Sequence, residues 1–470
     1  MADGEDAAPS SDSDFEDMDD NEGEDDVMSD AEGQGAAAQD GAVERRVYVP
    51  GTTNDGEELE CDQSAYVVYH QATTVAPCLS FDVIGDSLGD NRADRFPLTC
   101  YLAAGTQAER SHLNHLIVMK LSNMGRNKES ARKDAGDEED SSESEDEDAK
   151  PEMESALVPH QGCVNRVRVS KVGDKTMAAT WSENRKVYLW DLSHPLHVLE
   201  HPSAMSNYVR NHEAPKPVFQ FAGHLAEGYA VDWSPTKPGV LATGDCNKNI
   251  HLWKPHESTW HVDQRAFTGH TASVEDIQWS PSEATVLASC SVDRSIRIWD
   301  VRAAPNKACM LTTADAHDAD VNVISWNRLE PFLLSGGDDG SVKVWDLRTF
   351  QATRRLVRQS GKPVATFKHH LAPITSVEWH PTDGTVFLAS GSDDQLTLWD
   401  LAVERDGDAE ATGPSGDAEE DAALRGLPPQ LLFIHQGQKE IKEGHWHPQM
   451  PGLIVSTAQN GFNVFRTISV

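Results

Sequence analysis

The chain has 470 residues, 38% of them hydrophobic, and a formal charge of −37. That is enough apolar content for a large core, yet no apolar run approaches the roughly 20 residues of a membrane span. The acidity is concentrated: residues 1–40, 134–148 and 404–421 hold 34 of the 77 acids and one of the 40 bases, leaving 43 acids against 39 bases elsewhere. A near-neutral body with anionic arms lacks the basic face that DNA and RNA demand; it argues against direct nucleic-acid binding and for a basic protein as partner. Met1 is followed by acids, so no secretory leader is expected. The seven cysteines are odd in number and form no CxxC, so we read them as reduced thiols with no zinc site.

Residues 1–42 are almost wholly Asp, Glu, Ser, Gly and Ala. They cannot bury enough apolar area to offset their ordering entropy and are expected to form a disordered acidic tail. Ser10, Ser11 and Ser13 stand beside acids, where phosphorylation would add charge. Residues 43–78 read as a closure segment. Val47-Tyr48-Val49 suits a short strand, and Asp62 suits the N-cap of a helix over residues 63–72. Pro77 ends that helix.

From Leu79 the chain repeats. His224, His270, His317 and His370 precede Trp233, Trp279, Trp326 and Trp379 by nine residues each. Every copy holds three short runs alternating apolar and polar, with Gly, Asp, Ser and Pro between them, the signature of strands joined by tight turns. Units end at Trp190, Trp253, Trp299, Trp345, Trp399 and Phe465, and a degenerate first unit spans Leu79–Leu121. The steps of 46 residues from Trp253 to Trp299 to Trp345 match the period of propeller blades. Within a unit, a His before the first strand, a Ser or Thr on the second, an Asp in the second turn and a Trp on the third can hydrogen-bond in sequence. His270, Ser289, Asp293 and Trp299 fill all four places, as do His317, Ser335, Asp339 and Trp345. Their recurrence marks them as structural locks, not catalytic pairs. Asn184 and Asn247 stand in for the Asp near Trp190 and Trp253, so those two units should be weaker.

Acidic insertions interrupt the repeats at 126–155 and 402–427. Arg126–Lys133 is a basic cluster that could serve nuclear import. Ser193–Val218, with Pro and with His194, His197, His201 and His212, reads as a surface loop; its His spacing fits no standard metal site.

The His-Trp-Asp repeat resembles the WD-repeat family. That implies an all-β, seven-bladed WD40 propeller over 79–470, preceded by a short N-terminal helix and carrying disordered acidic segments. Ala76–Asp82, Gly89–Arg92 and Ala104–Gln107 extend the likeness to the histone-binding WD proteins of the retinoblastoma-binding type. Gly336–Gly340, Trp345–Arg348 and the ending Phe462–Val470 bring it closer still to the glutamate-rich WD-repeat family of nucleolar ribosome-assembly factors. The resemblance implies a groove for a basic helix, built from the N-terminal helix and an acidic loop containing Pro428-Pro429. Tyr66, Val68 and Tyr69 would supply apolar contacts, and Glu419, Glu420 and Asp421 charge. The alternative is that Tyr66 and Tyr69 seal the N-terminal element onto blade seven.

No phosphate loop, HExxH or nucleophile elbow is present, so neither an enzyme nor a cofactor is expected. The leading reading is a monomeric chaperone for basic proteins in the nucleus and nucleolus. The resemblance implies the large-subunit ribosomal protein L-three as client, with core histones as a second class. A competing reading is a substrate receptor of a cullin-RING ubiquitin ligase. Trp299-Asp300-Val301-Arg302 and Trp345-Asp346-Leu347-Arg348 fit the WDxR pattern of such receptors, with Arg302 and Arg348 touching an adaptor. A passive scaffold, the third reading, would show no preference for basic clients.

Overall fold

The computed structural model describes residues 61–127, 150–211, 213–349, 361–404 and 426–470. These residues form seven four-stranded antiparallel sheets. Blades one to six follow the chain, starting at Cys78, Val164, Val231, Val274, Val321 and Ile374. Blade seven joins Glu443–Trp446, Ile454–Ala458 and Gly461–Thr467 to a fourth strand, Tyr66–Ala72, from the other end of the chain. Innermost strands are short and their flanks pack between blades, so buried apolar clusters recur around the ring.

The seven units stand where the repeat places them, but the segment before blade one is a strand, not a helix. Asp62 does cap, its Oδ1 accepting from Ser64 N at 3.0 Å, yet it starts a single 3-10 turn, Gln63–Ala65. Tyr66–Ala72 then pairs with Gly461–Thr467, Tyr69 opposite Phe465 and His70 opposite Val464. Tyr-Val-Val-Tyr is aromatic and β-branched, and pairing covers a sheet edge that would otherwise be open. Tertiary demand thus overrides a helix reading based on an N-cap and one apolar face. Val47–Val49 lies outside the described residues, as do the 1–42 tail and most of both insertions.

Ser193–Val218 is not a plain loop either. It carries helix α1 (Ser193–Leu199) and helix α2 (Pro202–Asn211). Val198, Leu199 and Tyr208 pack on Tyr101, Leu116, Val158 and Trp190, and Tyr208 Oη donates to Leu157 O at 2.9 Å. Pro202 sits in the first turn of α2, where its missing N–H costs nothing.

The blade locks form. His270 Nδ1 meets Asp293 at 3.0 Å and Nε2 meets Ser289 Oγ at 2.7 Å; Trp299 Nε1 donates to the same hydroxyl at 2.8 Å. His317, Asp339, Ser335 and Trp345 repeat this arrangement. Burial alone would raise the Asp293 and Asp339 carboxyls, but hydrogen bonds from the His partners and from Ser295 and Ser341 hold both well below the usual range. Blade three keeps its carboxylate: Asp245, two residues before Asn247, pairs with His224 at 2.9 Å. Blade two lacks one, and His160 Nδ1 turns to Gly162 O at 2.9 Å. In blade six the shared hydroxyl is Thr397, on the third strand, not the second.

Candidate partner-binding surface

The closing strand lies beside the outermost strand of blade six, Leu431–His435. The Tyr66 ring meets Phe433 edge-on at 5.3 Å and Tyr69 at 5.0 Å. Tyr66 is 4% exposed and Val68 fully buried, whereas Tyr69 and Leu431–Ile434 are half-buried. Tyr66 therefore seals the ring. Its hydroxyl sits 2.8 Å from His435 Nδ1, and Asn463 Nδ2 reaches His435 Nε2 at 3.1 Å. Burial pushes the His435 ring down to about 3, so it is neutral. With Asn463 donating to Nε2, the Nδ1–H donates to the Tyr66 oxygen. His435 also stacks on Phe465 at 4.0 Å. Blade seven is thus locked by one residue from each end of the chain and one from blade six.

Pro428 and Pro429 form the half-buried turn before this outer strand, Leu431 N donating to Pro428 O at 3.1 Å. The structure brings them, Tyr66 and Tyr69 to one seam between blades six and seven. Glu419, Glu420 and Asp421 lie outside the described residues. The seam is also where acidic stretches join the body. One precedes Cys61, just before Gln63. Another follows Asn127, whose N donates to Val67 O at 2.9 Å and Nδ2 to Gln63 O at 2.8 Å. The third follows Glu404, next to Val403, whose carbonyl accepts from Gln430 Nε2 at 3.0 Å.

Arg302 and Arg348 are elsewhere, at the ends of the third strands of blades four and five. Each folds back on its own Asp: Arg302 Nη2 to Asp300 at 2.6 Å and Arg348 Nη2 to Asp346 at 2.8 Å. Both side chains are largely exposed.

The central channel holds charges that single motifs did not reveal. Carboxylates on one innermost strand accept backbone N–H groups of the next: Val169 N donates to Asp82, Trp279 N to Asp232, Ile324 N to Asp276, Trp446 N to Glu378 and Phe81 N to Glu443. Indoles add a parallel set: Trp233, Trp279, Trp379 and Trp446 each donate Nε1 to a carbonyl of the preceding blade. Arg166 and Arg168 converge on Glu443 at 2.7 and 2.8 Å, tying blade two to blade seven. The visible signal was a polar residue before the strand-ending Trp: Asp232-Trp233, Glu378-Trp379, His445-Trp446. Where the innermost strands begin, Glu275 and Asp320 form an acidic mouth. Burial raises both carboxyls, and Asp338 raises Asp320 further. Among the described residues no cluster of three or more His, Cys, Asp or Glu is placed to hold a metal, and no helix is long and apolar enough to cross a membrane.

Residues 56–125 match the family model for the histone-binding protein RBBP4 and its counterpart in the CAF1 complex. Residues 215–254, 262–300, 308–346 and 361–400 match the WD domain, G-beta repeat. Over 91% of its length the chain is 42% identical to Protein HEAT STRESS TOLERANT DWD 1 of Arabidopsis thaliana, covering 92% of that protein. It is 40% identical to the ribosome assembly protein rrb1 of Schizosaccharomyces pombe, over 89% of this chain and 84% of that one. It is 43% identical to Glutamate-rich WD repeat-containing protein 1 of Dictyostelium discoideum, over 88% and 82%. With identity of this level across nearly the whole length of each relative, the chain belongs to the glutamate-rich WD-repeat family of β-propeller proteins.

Proposed function

We infer that the chain is a non-enzymatic binding protein for basic clients, acting in ribosome biogenesis in the nucleus and nucleolus. The observation that carries this reading is the seam between blades six and seven. It has a half-buried apolar wall, and all three acidic stretches depart from the elements that build it. A basic amphipathic helix laid there would set its apolar face on Tyr69, Leu432 and Phe433 beside Pro428 and Pro429. Its cations would then face the acidic runs, Glu419, Glu420 and Asp421 included. Tyr66 and Val68 support the wall from within. Each exposed acid–base contact is worth a few tenths of a kcal/mol, but many together give fast, salt-sensitive capture. The relatives' names and the histone-binding match favour a ribosomal protein, L-three of the large subunit, and core histones as clients.

Co-expression with each client, followed by soluble yield and association rate at low and high salt, tests this. Removing residues 1–42, 134–148 and 404–421 should cut both yield and rate at low salt. Tyr69→Ala with Phe433→Asp should raise the dissociation rate. Unchanged capture in both sets would refute the reading. The ligase reading has one observation in its favour: Arg302 and Arg348 are exposed in the same pose on adjacent blades. Replacing both with Ala should abolish adaptor co-purification if that role is real.

A further inference from the structure

The central channel contains a cavity of about 310 Å³ that opens where the innermost strands end. Asp82, Asp232, Asp276 and Glu378 line it, with Trp326 and Gln278 on its wall. Its charges do not balance. Arg166 and Arg168 are engaged by Glu443, and His445 lies between Glu378 at 3.0 Å and Glu443 at 3.5 Å. Asp82, Asp232 and Asp276 accept backbone N–H groups but make no ion pair among the described residues. A carboxylate held away from water without a cation is costly. Burial, with Asp276 and Asp82 nearby, pushes the Asp232 carboxyl up to about 7.

The indole ring of donors also breaks at this place. Trp233, Trp279, Trp379 and Trp446 are all engaged, whereas Trp326 Nε1 makes no hydrogen bond among the described residues and its half-buried ring forms part of the cavity wall. An aromatic face beside unpaired carboxylates suits a flat or tetrahedral organic cation. The carboxylates come from separate blades and form no metal-like cluster, which disfavours a bare metal ion.

We propose that this end of the channel is a second binding site, which takes one guanidinium or ammonium group of a basic peptide between Asp232, Asp276, Asp82 and the Trp326 ring. It goes beyond the seam: its carrier is taken from the reading of a basic client, but its position and residues are independent. A bound cation would hold Asp232 ionised, so binding near pH 6 should release a proton.

The test is calorimetry of the full chain with a blocked peptide carrying a single arginine among glycines, against its citrulline twin. The arginine peptide should bind and the citrulline peptide should not. Asp232→Asn should weaken binding at least fivefold. Gln278→Arg, which places a cation on the cavity wall, should do the same while leaving the melting temperature near wild type. If the arginine peptide binds both variants as well as it binds wild type, the cation sits on the acidic runs and the channel site is wrong. Citrulline binding as tightly as arginine, or no arginine binding at all, overturns it equally. Client capture at the seam is read separately, by salt-dependent yield, and Asp232→Asn should leave it intact.

Discussion

Glu443 is the residue on which ring closure depends most. Its Oε1 takes Arg166 at 2.7 Å and Arg168 at 2.8 Å, and its Oε2 takes Ser80 Oγ at 2.7 Å and Phe81 N at 2.9 Å. One side chain thereby joins blades one, two and seven. Glu443→Ala leaves two largely buried guanidinium groups unpaired and a backbone N–H without its acceptor. Removing one partner of a buried pair costs about 3–5 kcal/mol. At roughly 2 °C per kcal/mol for a large domain, the melting temperature should fall by about 6–10 °C. The assay is thermal unfolding of the full chain at neutral pH, with Glu152→Ala on the exposed edge of blade one as control. Glu443→Met combined with Arg168→Met should lose less than the two single changes summed, because neither then strands a charge. A Glu443→Ala drop under about 2 °C, or strict additivity of that pair, would refute the reasoning. The pH dependence follows from the same cluster. Burial would raise the Glu443 carboxyl, but Arg168, His445 and Arg166 hold it well below 4.5. Its contribution is therefore present above pH 4.5 and fades as acid approaches the lower folded value. Burial would lower His445, yet Glu378 and Glu443 push it up to about 10 from 6.5. That contribution is complete below pH 6.5 and is lost as pH rises through about 10, so stability should plateau between these limits.

Other outcomes follow from single contacts. Ser289→Ala removes the acceptor shared by His270 and Trp299 and should cost about 1–3 kcal/mol, seen as a lower urea midpoint. The same change at Thr180 in blade two should cost less, since His160 there has no carboxylate holding it in place. Tyr66→Phe leaves His435 without one of its partners and should cost about 1–2 kcal/mol, with hydrogen exchange rising first along Tyr66–Ala72. Replacing Arg302 and Arg348 with Ala breaks only exposed pairs and should leave the melting curve unchanged, which makes the double variant a clean probe of any adaptor.

The number of blades, the chemistry of their locks and the siting of the negative charge were all legible from the residues alone. Each is local and repeated: a His nine residues before a Trp appears four times, and acids cluster in runs that no packing can hide. What the chain order could not show was anything that joins distant positions. Tyr66–Ala72 read as a helix because an N-cap and one apolar face are local cues, while the open edge of Gly461–Thr467 that claims it lies nearly 400 residues away. Asp245 was overlooked because the lock geometry, not a fixed spacing, selects the carboxylate. The channel charges looked like ordinary polar positions on strands; only the closing of the ring turns Arg166, Arg168 and Glu443 toward one point and leaves Asp82, Asp232 and Asp276 without a cation. Local pattern sets the unit, because hydrogen bonds and alternation act over a few residues. Burial and charge pairing across the ring are decided only when all seven units meet, because both depend on what stands opposite.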